Sequence, residues 1–495
     1  MSTPDSATRS GLWFRLMLVA ALPRVLSALL LPNAFGDAYA YVRDIQVMSE
    51  RIRSGTFSLE HLYGFWLPLY QFICALVSVP LGHADYVAKM VSAWFGVGVC
   101  MMVYDLSVRL TADRRAAWLT FALIAVNPLH VFNSASAMTD VPHAFFVLAS
   151  ACFVLRGRWT CAAIFAALAG LTRMDSWMLL VLLPLLQLLR ERRVSLVALT
   201  VLLFPPLFWL YLSWKATGDW LACFAERRQY MDWLLSVNPS LASFSLYGIG
   251  RDAGALLLST DLCVLAACIL AARLVYKRGL LTAAVREVEA SRAVFSLNLF
   301  FFAYLGFILL AYLTHRQPII FPRYGLILFA LGLPILPWTF LELTRRKTRF
   351  ERRAWLMTIV AVCLLSAGIQ FTYSAGFVNR EYARRSVADY LRAHFNPDTG
   401  ARIFNDEGTV LAVSGIPTES FLSSTDAPRE RSAFIAYLKE KNVEYLVYIE
   451  KQDSTPARLF PELKEGRGDD TFEPVMRASS RFLREEIWLY KIHAP

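Results

Sequence analysis

The chain repeats one pattern. Apolar runs, most of them about the length that crosses a hydrocarbon layer, are separated by polar turns in which Lys and Arg gather. The first run covers residues 13–31. Later ones cover about 86–106, 116–131, 141–155, 159–171, 177–189, 194–214, 253–275, 293–313, 319–341 and 355–373. Backbone in hydrocarbon must satisfy its own hydrogen bonds, so these runs predict helices. At 56% hydrophobic residues the composition is far from that of soluble domains. The net charge of +11 does not point to nucleic acid, because the surplus cations sit between the runs, where the positive-inside rule collects them. The eight cysteines show no C-x-x-C or His-rich spacing, and most lie inside apolar runs. They read as small buried hydrophobes, with neither a disulfide framework nor a metal site. Arg9 and Arg15 precede the first run without a clean cleavage site, which predicts an uncleaved first span.

Charge sets the topology. With the N-terminus cytoplasmic, residue 37 emerges on the outer side. Tyr41, Ile45, Met48 and Ile52 then recur at helical spacing, with charged residues on the other face, which predicts an interfacial helix. The run ending at Leu81 is short, rich in Trp and Tyr, and opens at Pro68. If it crossed, the clusters at Arg109–Arg115, Arg156–Arg158, Arg190–Arg193, Lys277–Arg278 and Arg345–Arg353 would all turn outward. The expectation is therefore a mostly α-helical polytopic membrane protein. It has about eleven spans, with two interfacial helices in the first outer loop. Residues 374–495 are polar, with strand-like runs at 401–405, 410–413 and 445–449 and helical pieces at 381–395 and 431–442. That is a small C-terminal α/β domain, placed outside by the odd span count. The expected division is 1–373 and 374–495. No internal repeat is visible, which argues against an inverted-repeat transporter.

Several polar residues are expected on the outer side at membrane depth. Asp37, in Phe35-Gly36-Asp37-Ala38-Tyr39-Ala40-Tyr41, follows span 1, with Tyr39 beside it. Asp140 opens span 4 in Asp140-Val141-Pro142-His143. Arg173 and Asp175 lie between the short spans 5 and 6. His315 and Arg316 follow span 9, and Pro322-Arg323-Tyr324 precedes span 10. Arg173, Arg316 and Arg323 stand where topology selects against cations. Ionisable groups at this depth are costly and mark function. Guanidinium matches phosphate oxygens, and a carboxylate can take a proton from a hydroxyl. Together they suit transfer of a sugar from a lipid-borne phosphate. Each residue also has a plain reading: a cap for Asp140, mutual pairing for Arg173 and Asp175, snorkelling for Arg323, and structural roles for His143 and His315. Asp261 is the one acidic residue noted within a span.

On these residues the chain resembles the GT-C superfamily of membrane glycosyltransferases. The likeness is to the branch with protein O-mannosyltransferases and the lipid A aminoarabinose transferase. It rests on the order of weak motifs over residues 12–337: Asp37 after span 1, Leu67-Pro68-Leu69-Tyr70, the turn Arg109–Arg115, Asn127-Pro128-Leu129, Asp140-Val141-Pro142, Leu171-Thr172-Arg173 and Pro322-Arg323-Tyr324. The resemblance implies a polyprenyl-phosphate sugar donor, inversion, and Asp37 as catalytic base with Asp140 as the second acid. Arg173, Arg316, Arg323 and Tyr324 are expected to hold the donor phosphate, and Tyr39, His61, His143, Asp175 and His315 to line the substrate. No cofactor is expected, since that branch needs no catalytic divalent ion. The partners expected are the lipid donor, membrane lipid and a glycan, lipid or protein acceptor, with no nucleic acid. The setting implied is a bacterial inner membrane with the site facing the periplasm. The family's Asp-Glu pair is absent, since Ala38 follows Asp37, and so is a Lys before the Pro element. The rival readings are a lipid-substrate transporter or flippase, which predicts charges at many span centres, and a receptor whose tail binds a partner.

Overall fold

The architecture is described from a computed structural model, over residues 6–33, 35–237, 241, 245–277, 287–425, 427–450, 454–480 and 485–493. Arg278 of the basic clusters lies outside the described residues. The chain forms two compact units. The first takes in Met1–Leu30, Ile45–Gln229 and Leu241–Phe371, and the second Leu31–Asp44, Tyr230–Ser240 and Thr372–Pro495.

The first unit is helical. Its elements are α1 (Ser6–Leu30), α2 (Gly36–Arg53, from Ile45 on), α3 (Leu69–Leu81), α4 (Ala84–Thr111), α5 (Arg114–Ala125), α6 (Pro128–Ser134), α7 (Asp140–Leu155), α8 (Trp159–Gly170), α9 (Leu179–Glu191), α10 (Leu196–Thr217), the start of α11 (Ala222–Val237), α12 (Leu246–Thr260), α13 (Leu262–Lys277), α14 (Glu287–Leu313), α15 (Leu326–Gly332), α16 (Ile335–Thr344) and the first half of α17 (Arg349–His394). Among the described residues, five helices are long and apolar enough to cross a membrane, or up to eight if each bent pair counts as one span. The expected count of about eleven also needs α7, α8 and α9, which are shorter than the roughly 20 residues of a straight crossing.

Three expected spans are bent. The run 116–131 becomes α5 and α6 at 60°, 253–275 becomes α12 and α13 at 81°, and 319–341 becomes the Pro322–Gly332 and Ile335–Thr344 pieces at 53°. Hydropathy does not register a bend, because both halves remain apolar. What the bends require is partners for the carbonyls they expose. Arg24, fully buried on α1, supplies them at the first bend. Its Nη2 donates to Ile124 O and its Nη1 to Ala125 O, both at 3.0 Å, and Nη2 lies 2.8 Å from His130 Nδ1 on α6. The cation thus faces the negative end of α5. Gly96 on α4 leaves room for this: a Cβ there would overlap Ser134 and the Arg24 side chain.

The second unit carries a five-stranded mixed sheet in the order β2-β1-β3-β5-β4. The strands are β1 (Arg402–Asn405), β2 (Phe421–Leu422), β3 (Val443–Ile449), β4 (Phe472–Ser480) and β5 (Glu485–Ile492). The first three are parallel, and β5 pairs antiparallel with β3 and β4. One sheet face, with Ile403, Val447, Ile487 and Leu489, packs on Val387, Ala388 and Leu391 of α17. The other, with Phe404, Leu446 and Tyr490, packs on Phe434 and Leu438 of α19 (Arg431–Glu440). The expected strand at 410–413 is helix α18 (Gly408–Ser414) instead. A short apolar run fits a buried helix as well as a strand, and Gly415 at φ 72° closes this one as a helix. Arg384, buried on α17, is 2.9 Å from both Glu381 and Glu407 and 3.1 Å from Glu485. Thr409 donates to Glu381 at 2.7 Å.

Two outcomes are expected. Arg24→Leu leaves the carbonyls at the α5–α6 bend without their donor and lowers stability in detergent by about 3–5 kcal/mol, read by thermal unfolding. Arg24→Lys, which lacks the planar fork, recovers little of it. In the second unit, burial pushes the Tyr448 phenol up to about 12, helped by Glu450 and Glu462. The value is raised on folding, so the associated stability is intact below about pH 10, where an unfolded tyrosine titrates, and is lost as the pH climbs to about 12. The Tyr448 hydroxyl has no hydrogen-bond partner among the described residues. Tyr448→Phe is therefore near neutral at pH 7 and reduces the alkaline loss, measured by unfolding across that range.

Candidate functional site

The polar residues that gather in the first unit come from three places. Helix α7 opens on Asp140, and its N-cap is Thr139. Asp140 thus stands one residue inside the helix, past the cap position. Its carboxylate faces Arg173, whose Nη1 donates to Asp140 Oδ1 at 3.0 Å. Arg173 has extended backbone ahead of the 3-10 turn Met174–Met178. From there its Nε also reaches Asp175 Oδ2, at 3.0 Å. One guanidinium is thus forked between two carboxylates. Asp140 is 4% exposed, and its Oδ2 has no partner among the described residues.

The third contributor is the 3-10 turn Pro322–Gly325 that precedes α15. The Arg173 guanidinium lies 5.5 Å from the centre of the Tyr324 ring, and the Arg323 guanidinium 5.6 Å from it. Two cations share one aromatic ring, a geometry the ring quadrupole favours. The turn is set close on the end of α12. A Cβ at Gly325 would overlap the Ser259 hydroxyl and crowd Thr260.

Beneath the fork lies a fully buried polar chain. His143, one turn along α7 from Asp140, has its Nε2 2.6 Å from Ser176 Oγ, which is 2.7 Å from Tyr304 Oη on α14. Each of the three is under 4% exposed. The Leu67-Pro68-Leu69-Tyr70 element is tied in twice. Leu69 N donates to Leu171 O at 3.1 Å, two residues before Arg173. Tyr70 Oη lies 2.9 Å from Ser92 Oγ, which donates to Met138 O at 3.3 Å, two residues before Asp140. Motifs far apart in sequence thus converge on the same two segments.

The structure therefore brings Asp140, Arg173, Asp175, Arg323 and Tyr324 together, with His143 linked through Ser176. His61, His315 and Arg316 fall elsewhere in the first unit. His61 closes its own turn, accepting from Ser58 N at 3.0 Å on Nδ1. His315 is half-buried at φ 54° just past α14, and Arg316 is exposed. Asp37 and Tyr39 belong to the second unit. Asp37 follows the first span, as expected, and lies in the first turn of α2, where the helix dipole favours an anion. Tyr39 is buried, and its hydroxyl donates to Asn33 O at 3.2 Å. Ser176, Tyr304 and Ser92 were not legible as site residues, and Tyr70 was legible only as part of its Leu-Pro-Leu-Tyr element, because a lone hydroxyl carries no sequence signal of its partner.

Residues 62–185 match the family model for dolichyl-phosphate-mannose-protein mannosyltransferase. The expected likeness to the GT-C membrane glycosyltransferases is shown by this match, over about a quarter of the chain. The matched stretch holds Asp140, Arg173 and Asp175, along with the Leu67–Tyr70 element. No curated protein matches the chain. Two solved structures of ArnT from Cupriavidus metallidurans are similar at 13% identity. One, bound to undecaprenyl phosphate, aligns over 98% of this chain and 98% of that one with a TM-score of 0.46. The other, in the apo state, aligns over 97% and 98% with a TM-score of 0.47.

Ser176→Ala removes the middle of the buried chain and leaves His143 and Tyr304 facing each other unpaired. The expected cost is about 1–3 kcal/mol, read by thermal unfolding in detergent, with Ser176→Thr recovering part of it.

Proposed function

We propose that this protein is a membrane glycosyltransferase that moves a sugar, with inversion, from a polyprenyl-phosphate donor to a hydroxyl of an acceptor on the non-cytoplasmic side. The membrane proposed is the bacterial inner membrane. The observation that carries the reading is the forked Arg173, with the buried, unpartnered Oδ2 of Asp140 beside two cations that share Tyr324. Buried polar atoms are normally paired, and an orphan oxygen in such a cluster suits a substrate hydroxyl.

In this reading the acceptor hydroxyl loses its proton to a carboxylate and its oxygen attacks the anomeric carbon. The bond from that carbon to the phosphate oxygen breaks, and the lipid phosphate leaves with the electron pair. Asp37 is the proposed base, on the strength of the family resemblance. Asp140 orients a sugar or acceptor hydroxyl through Oδ2, with Oδ1 anchored by Arg173. Arg173 already serves two carboxylates, so Arg323 is the better candidate for the departing phosphate, whose growing charge a guanidinium stabilises. These side chains supply the positive charge, and no metal step is invoked.

The test is transfer from a synthetic polyprenyl-phosphate sugar by the purified chain. Asp37→Asn is expected to lower kcat by about 10²–10⁴-fold, the usual worth of a positioned base. Wild-type turnover in that variant removes the assignment. Arg323→Ala is expected to impair turnover more than Arg316→Ala, since Arg316 is exposed. A protein that moves the lipid across vesicles without ever transferring sugar refutes the enzyme reading.

A further inference from the structure

The bend between α12 and α13 holds a second cluster, independent of the transfer reaction. Asp261 stands at the corner with φ 67°, a left-handed conformation that costs a non-glycine residue. It is 3% exposed, and no Lys, Arg or His pairs with it among the described residues. Its Oδ1 accepts from Cys263 N at 2.8 Å, which starts α13. Cys363 comes to the same point from α17, one hundred positions further along the chain. A side-chain oxygen of Asp261 and the sulfurs of Cys263 and Cys363 all lie within 4.8 Å of one another. The approach of α17 is fixed independently: Gln370, two turns beyond Cys363 on the same face, donates to Leu258 O of α12 at 2.7 Å.

Buried carboxylates are normally paired with a cation or bound to a metal. We propose that Asp261, Cys263 and Cys363 form a binding site for a thiophilic d10 cation, Zn²⁺ being the representative ion, that pins the α12–α13 corner to α17. One oxygen and two sulfurs are a borderline-soft donor set, which suits Zn²⁺ and disfavours Mg²⁺ or Ca²⁺. Tetrahedral zinc bond lengths of about 2.0–2.3 Å place neighbouring ligand atoms roughly 3.5–3.8 Å apart. The present spacing therefore closes with small side-chain rotations. Binding displaces one proton from each thiol to solvent and leaves the fourth position to water or another ligand.

The test uses the full chain, purified in detergent and reduced. Zn²⁺ is expected to bind at one equivalent and to slow maleimide labelling of Cys263 and Cys363, and Co²⁺ in its place is expected to give a thiolate charge-transfer band. Cys263→Ser and Cys363→Ser lose the band. Asp261→Asn keeps an oxygen for the bond to Cys263 N, so it preserves the helix start, yet it weakens Zn²⁺ by roughly tenfold or more. Thermal unfolding without metal verifies that each variant is folded. The proposal is overturned if folded wild type binds no Zn²⁺, if labelling of the two thiols is indifferent to it, or if the double serine variant binds as tightly as wild type.

Discussion

A helix that breaks inside an apolar environment must find donors for its last carbonyls, and the first unit depends on meeting that demand. At the α5–α6 bend the donor is Arg24, reaching from α1 to Ile124 O and Ala125 O. A guanidinium offers several donors in a fixed plane, so one side chain serves both carbonyls and meets His130 as well. At the α12–α13 bend the donor is the Gln370 amide, bonded to Leu258 O. In each case a side chain from a helix remote in sequence closes the break. The bends in turn permit polar turns at membrane depth, because the exposed backbone is shielded by protein.

The candidate site uses the same economy. Asp140 stands one residue past the cap position of α7 and faces Arg173. The turn that carries Arg173 is held by Leu69 N on Leu171 O, and the approach to α7 by Ser92 on Met138 O. Beneath, the His143–Ser176–Tyr304 chain ties α7, the turn and α14 together, so that few degrees of freedom remain to the carboxylates. Rigid support of this kind is what a site needs if charges are to be positioned before a substrate arrives.

Much of this was legible in the sequence, for identifiable reasons. Helix positions follow from apolar run length, and α8 begins at Trp159, where the run was expected to begin. Asp140, Arg173, Asp175, Arg323 and Tyr324 were legible because charge at an outer turn is costly and so conspicuous. Arg24 was not, because a single cation inside a long apolar run does not disturb hydropathy. Nor were the bends, or the meeting of Cys263 with Cys363, since metal spacing rules look for ligands close in sequence. Asp37 was legible as the residue that follows the first span, but its place in the first turn of α2 was not, because the helical spacing of apolar residues begins only at Tyr41.

The Gly325 contact leaves the molecule without slack at one place. Ser259 and Thr260 press on the backbone of the turn that holds Arg323 and Tyr324, with no space for even a methyl group between them. The next residue in the chain is Asp261, at the corner. A displacement of that corner has no soft layer in which to dissipate, so the end of α12 and the aromatic platform beneath the two guanidinium groups must travel as one piece or stay where they are.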